Sequence, residues 1–120
     1  MLDHVTLRVA DFDRSRAFYD AALQPLGLTV VMSEGRAAGY GKDRPFFWIG
    51  EGAGGAGAHV AFAAQDRASV DAFYAAAIAA GGRDNGPPGV RAHYHPTYYG
   101  AFVLDPDGNN IEAVRHAPPA

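Results

Sequence analysis

Two stretches of the chain have the character of β-strands, and each begins with a histidine. The first, HVTLRV, sets Val5, Leu7 and Val9 on one face against His4, Thr6 and Arg8 on the other. The second, HVAFAA, begins at His59 and is apolar after the histidine. Because side chains alternate across a strand, both stretches predict strands with one buried face. In each of them a histidine opens the face that points away from the predicted core.

A helix is predicted after each of these strands. Asp11 and Asp66 are suited to capping a helix N-terminus, and the apolar residues that follow them recur at helical spacing. Gly27 and Gly82 are placed to end the two helical regions. Further strands are predicted at about 28–32, 39–41, 46–49, 82–84, 99–104 and 110–115. Each half of the chain is therefore interpreted as β-α-β-β-β.

The two halves also repeat one another in sequence. A shift of 55 positions places His4 on His59, Asp11 on Asp66 and the letters AFY of one helix on the AFY of the other. Two copies are too few for a solenoid, which needs at least three. The repeat therefore predicts a paired, pseudo-symmetric domain.

The cluster DPDGNN lies between two apolar runs and predicts a β-hairpin. Asp105 can accept hydrogen bonds from the turn amides, and Gly108 can take the left-handed conformation that closes such a turn. Glu112 follows on the return strand, among apolar neighbours. Burying a carboxylate without a partner is costly, so Glu112 either faces solvent or lies beside a positive group.

The two strand-opening histidines are the candidate partners of Glu112. Under the repeat, His4 and His59 share one position of the two halves, and the flanking runs FFWI and NIEA match Glu112 with Trp48. Three of the four related positions thus carry side chains that bind metals. Each of the three, taken alone, is more often an ordinary strand-end or surface residue. Their symmetric placement favours a joint role.

Composition removes several classes of function. The chain has 120 residues, 48% of them hydrophobic, with a net charge of −3 and no cysteine. Its length and composition suit one globular domain, and the scattered Lys and Arg residues form no stripe for nucleic acid or an anionic membrane. The lack of cysteine excludes disulfides, thiolate metal sites and cysteine nucleophiles. With no secretory signal and no apolar run of roughly 20 residues, we expect a cytoplasmic protein.

Three motifs carry a family resemblance: DHVTLRVADFDRSRAFYDAAL at the start, AHVAF in the middle and FVLDPDGNNIEAV near the end. On these motifs the chain resembles the vicinal oxygen chelate superfamily of glyoxalases, bleomycin-resistance proteins and extradiol dioxygenases. The resemblance implies an α+β fold of two βαβββ modules that form a half-open barrel. It predicts one domain over residues 1–120, with module one at about 1–53, a glycine-rich connector at about 50–57 and module two at about 58–117.

The same resemblance implies the ligands of a metal site. Carried over by position, they are His4, His59 and Glu112, around one divalent ion, for which Fe, Mn, Ni and Zn all suit the donor set. It also implies a homodimer with its sites at the subunit interface. Trp48 stands where glyoxalase I members usually have a glutamate, and Phe102 stands where extradiol dioxygenases have a tyrosine. Both departures weaken the corresponding activity.

The segment RAHYHPTYY, residues 91–99, is dense in groups that could face a substrate. His95 and Tyr98 are the candidate catalytic residues, because imidazole and phenol groups can exchange protons with a substrate. The alternatives are a surface loop that covers the rim of the barrel and, for His93 with His95, adventitious metal binding. The candidate substrate-binding residues are Trp48, Arg91, His93, Tyr99 and Phe102.

Three functional hypotheses follow. The first is a metal-dependent enzyme that chelates adjacent oxygens of a small substrate, with lyase, isomerase or glutathione-transfer chemistry. The second is a non-catalytic protein that binds an antibiotic or a metabolite. The third is an extradiol-type dioxygenase, which requires Fe(II) and oxygen.

Overall fold

The structure, a computed structural model, describes residues 1–119 and contains two sheets, each with one long helix. The elements of the first half are β1 Val5–Val9, α1 Phe12–Leu23, a 3₁₀ helix Gln24–Leu26, β2 Thr29–Ser33, β3 Ala37–Gly41 and β4 Pro45–Glu51. The elements of the second half are β5 His59–Ala63, α2 Arg67–Ala79, β6 Arg83–Asp84, β7 Gly89–Val90, β8 Tyr99–Leu104 and β9 Asn110–Arg115.

The two sheets have the same topology. Their strand orders are β1-β4-β3-β2 and β5-β9-β8-β6, and the two-residue strand β7 also pairs with β8. The first strand of each half runs parallel to the last, and the other pairs are antiparallel. The sheets do not close into a full barrel. The predicted α+β class with two βαβββ halves in a half-open arrangement is confirmed, and β7 is the one short addition.

The strand register makes Trp48 and Glu112 equivalent. Thr6 of β1 lies opposite Trp48 of β4, and Ala61 of β5 lies opposite Glu112 of β9. Thr6 and Ala61 are themselves related by the 55-residue repeat. The predicted correspondence between Trp48 and Glu112 is therefore confirmed.

Each helix has the predicted aspartate as its N-cap. The Oδ1 atom of Asp11 accepts from Arg14 N at 3.1 Å, and that of Asp66 accepts from Ser69 N at 2.7 Å. The helices contact each other and bury one face of each sheet. No helix within residues 1–119 is long and apolar enough to cross a membrane.

The turn between β8 and β9 is fixed by a buried carboxylate. Asp105 Oδ1 accepts from Asp107 N at 2.9 Å and Asn109 N at 2.8 Å, while Oδ2 accepts from the Tyr19 hydroxyl of α1. Gly108 has φ of 91°, the left-handed conformation that the sequence predicts. Burial and the neighbouring Asp105 raise the pKa of Tyr19. These contacts join helix α1 to the turn that leads into β9, and so they position the strand that carries Glu112.

Candidate functional site

Glu112 is buried and bound to a histidine. Its side chain lies on β9, on the sheet face opposite to the helices, and the residue is 1% exposed. His59 Nε2 donates to Glu112 Oε1 across 2.9 Å. The imidazole itself is 51% exposed on its outer side. His59 is therefore the polar partner that a carboxylate on this strand requires.

The second oxygen of Glu112 is bound to Tyr98. The phenol hydroxyl donates to Glu112 Oε2, and burial together with this hydrogen bond raises the pKa of Tyr98. Gly100 leaves room for the contact, because a Cβ there would lie 3.1 Å from the Tyr98 ring and 3.2 Å from Glu112 Oε2. Within the chain both carboxylate oxygens thus have hydrogen-bond donors.

Phe102 and Arg91 extend this polar pair along the same face. The Phe102 ring centre is 6.2 Å from that of His59, and the guanidinium carbon of Arg91 is 5.4 Å from the Phe102 ring centre. Arg91 is held in place by donating to the backbone carbonyls of Gly89 at 2.9 Å and Pro87 at 2.7 Å. A positive charge therefore stands at a fixed place beyond Phe102.

Asn110 adds an unsatisfied polar atom to the site. It lies opposite His59 in the register and two residues before Glu112, on the same face of the sheet. Its side-chain oxygen is buried and has no hydrogen-bond partner among the described residues. A buried polar atom without a partner is unusual and points to a ligand, an ion or a water at that place.

His4 lies elsewhere in the chain. It precedes β1 at the edge of the other sheet, its side chain is 55% exposed, and its Nδ1 lies 2.8 Å from Asp3 Oδ1. The hydrogen bond from His4, assisted by Arg44, lowers the pKa of Asp3. Residues 1–119 contain no group of three His, Cys, Asp or Glu side chains close enough to hold one ion. One chain alone thus brings together His59 and Glu112 but not His4.

Trp48 forms an apolar wall at the position equivalent to Glu112. It is half-buried against the bare backbone of Gly39, where an added Cβ would lie 2.8 Å from the indole ring. The first sheet therefore presents a flat aromatic surface where the second sheet presents a carboxylate.

A cavity of about 460 Å³ opens between the edge strands β1 and β5. It is mostly apolar and includes His4 together with Val60 to Ala63, but neither His59 nor Glu112. The cavity and the polar pair are therefore separate features of the chain.

The candidate residues of segment 91–99 separate into different surroundings. His95 Nε2 lies 2.8 Å from His116 Nδ1, next to the Tyr98 ring. His93 is exposed and contacts only the ring of its neighbour Tyr94 among the aromatic residues described.

Tyr99 points towards helix α2. Its hydroxyl donates to Asp71 at 2.6 Å, and Arg67 lies 4.8 Å above its ring. The structure therefore does not bring Tyr99 to the His59–Glu112 pair.

Sequence reasoning missed two members of this region, His116 and Asn110. His116 follows the last strand and has no counterpart in the repeat, so no pattern marks it. Asn110 could have been found, because it shares a face with Glu112 on a strand of alternating side chains.

The donors present suit part of a divalent metal site. An imidazole and a carboxylate are the ligands that Fe, Mn, Ni and Zn accept, and donors bound at about 2.0–2.2 Å to one ion lie roughly 3 Å apart. In the chain alone a hydrogen bond of 2.9 Å joins His59 Nε2 to Glu112 Oε1, so an ion would take the place of the shared proton. The unpaired oxygen of Asn110 lies on the same face. A third strong donor has to come from outside this cluster.

Comparison with known structures places the fold. A glyoxalase/bleomycin resistance protein from Albidiferax ferrireducens is 35% identical, with a TM-score of 0.87 over 96% of this chain and 98% of that chain. A glyoxalase-related enzyme from Fulvimarina pelagi is 20% identical, with a TM-score of 0.74 over 96% and 87% of the two chains. A glyoxalase I variant from Zea mays is 24% identical, with a TM-score of 0.70 over 94% of this chain and 43% of that chain. The last two matches show the fold alone.

The sequence comparisons decide the family. No curated protein matches the chain significantly. The profile of the Glyoxalase/Bleomycin resistance protein/Dioxygenase superfamily matches residues 1–113, which is nearly the whole chain. The chain belongs to this superfamily.

Proposed function

We propose that the protein is a metal-dependent enzyme that binds adjacent oxygens of a small substrate, with chemistry of the lyase, isomerase or glutathione-transfer type. The observation that carries the proposal is the pair formed by His59 and the buried Glu112, whose donor atoms lie 2.9 Å apart. Burying a carboxylate in a sheet costs free energy. A buried ionisable group of this kind is therefore a candidate for a functional site.

His59 and Glu112 would hold the ion from this chain. When bound, a divalent ion supplies Lewis acidity towards the oxygens of a substrate. To bind the ion, His59 has to give up its Nε2 proton. Metal affinity is therefore expected to fall as the pH is lowered.

His4 of a second copy is proposed as the third ligand. In a single chain His4 forms no three-residue cluster with His59 and Glu112, and it precedes β1, the edge strand of the other sheet. Its side chain is exposed, and β1 has a sheet neighbour on one side only. A homodimer in which the first half of one copy faces the second half of the other would complete the set of three.

The residues around the pair would orient the substrate. Tyr98 keeps its proton at neutral pH, since its pKa is raised, and it can donate a hydrogen bond. Arg91 supplies a fixed positive charge for an anionic group of the substrate, and Phe102 offers an apolar surface between the two.

A second candidate function is a binding protein without turnover. It is favoured by one observation, that both oxygens of Glu112 already have donors within the chain, His59 and Tyr98. In such a protein the cluster is structural, and an antibiotic or metabolite binds without an ion.

Metal content separates the two candidates. The protein is purified without chelators and analysed by elemental mass spectrometry beside His59→Ala and the control His93→Ala. We expect about one divalent ion per chain in the native protein and in the control, and loss of the ion in His59→Ala. Absence of metal in all three, with none taken up on reconstitution, would overturn the metal enzyme and favour the binding protein.

A further inference from the structure

Two histidines that the metal hypothesis does not use face each other head-on. His95 Nε2 and His116 Nδ1 are 2.8 Å apart, and their ring centres are only 5.1 Å apart with an interplanar angle of 23°. The ring centres are separated by little more than the N–N distance plus the two ring radii. Both nitrogens therefore lie close to the line between the rings, which is the geometry of an N–H···N hydrogen bond. Two ligands of one ion would instead aim their lone pairs at a common third point.

The contacts of Thr97 fix which nitrogen carries the proton. Thr97 N–H donates to His95 Nδ1 at 3.2 Å, so this nitrogen is an acceptor and carries no hydrogen. The neutral His95 ring is then protonated at Nε2 and donates to His116 Nδ1. The Thr97 hydroxyl donates its one hydrogen to the His116 carbonyl at 2.6 Å. We call this closed set of three bonds, among His95, Thr97 and His116, the clasp.

The clasp connects segment 91–98 to the residues that follow β9. Both of its imidazole rings pack against the ring of Tyr98. The Tyr98 ring centre is 5.4 Å from that of His95 and 5.2 Å from that of His116, both edge-to-face. Tyr98 is also the residue after Thr97 in the chain. Its hydroxyl is the donor to Glu112 Oε2. The position of the phenol on the carboxylate thus depends on two ring contacts that the clasp supplies.

We propose that His95 and His116 are positioning residues, which hold the phenol of Tyr98 on Glu112, and that the clasp opens when His116 Nδ1 gains a proton. The inference goes beyond the proposed metal chemistry. It rests on that function only for what the positioned phenol does to a substrate.

Opening on protonation follows from the bonding. An added proton has to sit on Nδ1 of His95 or Nδ1 of His116, and each of these atoms accepts a hydrogen bond in the clasp. A proton on His116 Nδ1 breaks the bond between the two rings, whereas a proton on His95 Nδ1 replaces the bond from Thr97 N and leaves Thr97 Oγ1 3.4 Å from that nitrogen. Histidine is the side chain whose charge ordinarily changes between about pH 5 and pH 8.

Few other charged groups act on the pair. Tyr98 faces both rings, and Tyr94 packs on the far side of Tyr98 with ring centres 4.8 Å apart. Neither His95 nor His116 forms an ion pair with any residue of 1–119. The groups on their own segments that can carry charge are Arg91, His93 and Arg115. Arg91 acts on Tyr98, and Arg115 acts on Asp66 near the start of α2.

Nuclear magnetic resonance on the full-length, metal-free protein tests the inference. Imidazole ¹⁵N shifts report the tautomers, and the ring signals of Tyr98, assigned with Tyr98→Phe, report the position of the phenol. The variants are His116→Ala, which removes the acceptor, and His116→Asn, whose side-chain oxygen can accept from His95 but cannot be protonated. Because His59 is also an imidazole and also bonds Glu112, the pH series from 8 to 5 is repeated in His59→Gln.

We expect His95 to be the Nε2–H tautomer at pH 8, and the Tyr98 signals to shift as the pH falls, also in His59→Gln. His116→Ala at pH 8 should show the shifted Tyr98 signals of the native protein at pH 5, and His116→Asn should restore the native position. An Nδ1–H tautomer at His95, Tyr98 signals indifferent to His116→Ala, or no restoration by His116→Asn would each overturn the proposal. Metal binding is measured separately, so a chain that binds no metal would contradict the proposed function while these signals still decide the clasp.

Discussion

The two sheets of this chain share one topology and one register, yet their outer faces differ in chemistry. The second sheet carries a buried carboxylate with donors on both oxygens, Glu112 with His59 and Tyr98. The first sheet carries Trp48 at the equivalent position, packed on the bare backbone of Gly39. The first sheet does have a histidine, His4, at the position that corresponds to His59.

The difference shows that two halves of the same topology can carry different side chains on their outer faces. The scaffold requires only that each helix-facing side of a sheet be apolar, so the other face is free to vary. In the second half that face carries a polar cluster whose members are hydrogen-bonded to one another. In the first half it carries the aromatic surface of Trp48. The four predictions that follow test this division, beginning with the largest expected effect.

The largest effect is expected from separate substitutions at the two equivalent positions, Glu112 and Trp48. Glu112→Gln should lower metal affinity by more than about 100-fold, because a direct ligand matters at least as much as the partners of ligands. Trp48→Phe should leave metal affinity within about twofold, since it keeps an aromatic wall. Isothermal titration with a divalent ion measures both. Equal losses in the two variants would mean that the faces are not divided in this way.

The turns that precede β4 and β9 should differ in their contribution to stability. Asp105→Ala removes four hydrogen-bond acceptances and leaves the buried Tyr19 hydroxyl unpaired, so we expect a loss of about 3 kcal/mol in the free energy of unfolding. Asp43→Ala, in the exposed turn of the first half, should change it by less than about 0.5 kcal/mol. Urea denaturation of the two variants gives the comparison. A loss at Asp105 no larger than at Asp43 would contradict it.

Two glycines make the outer faces possible, and each should report on its own half. Gly39→Ala places a Cβ 2.8 Å from the Trp48 ring and 2.7 Å from Pro45, so overpacking should cost about 1–3 kcal/mol. Trp48 is the single tryptophan of the chain, so its fluorescence should change in this variant. Gly100→Ala crowds Tyr98 and Glu112 less closely and should leave the tryptophan emission unchanged. A change of emission in Gly100→Ala alone would reverse the assignment.

The smallest effect concerns the start of helix α2. Hydrogen bonds from the side chain and backbone of Ser69 lower the pKa of Asp66. A carboxyl whose pKa is lower in the folded state stabilises the protein above its unfolded pKa of about 3.9 and loses that contribution as the pH falls through the folded value. Asp66→Ala should therefore lower the melting temperature at pH 7, and by progressively less below about pH 4. A gap in melting temperature that stays constant from pH 7 down to pH 2 would refute this.

The sequence predicts the scaffold well because the scaffold is local and repeated. Alternation at His4 to Val9, the caps Asp11 and Asp66, and the turn at Asp105 each act within a few residues, and the repeat gives the first strand and the helix cap twice. The equivalence of Trp48 and Glu112 comes from the similar runs FFWI and NIEA on the last strand of each half.

The site is predicted less completely because its contacts are long-range. His116 pairs with His95 across 21 positions, outside the repeat, and nothing in the pattern marks it. Tyr99 bonds Asp71 on α2, whereas its neighbour Tyr98 reaches Glu112, and periodicity alone does not say which of two adjacent tyrosines faces the site. The separation of His4 from His59 within one chain depends on how the two sheets are arranged, which no local pattern records.

The central claim is that a metal site is built from the second half of one copy and the first half of another. Subunit complementation tests it directly, with His4→Ala and His59→Ala variants that carry different affinity tags. Each variant alone should lose its ion. A heterodimer isolated through both tags should regain one intact site, since one copy then supplies His59 and Glu112 and the other supplies His4. Metal analysis that finds one ion per heterodimer is the predicted result, and a heterodimer as empty as its parents, or a chain that never dimerises, would contradict the account.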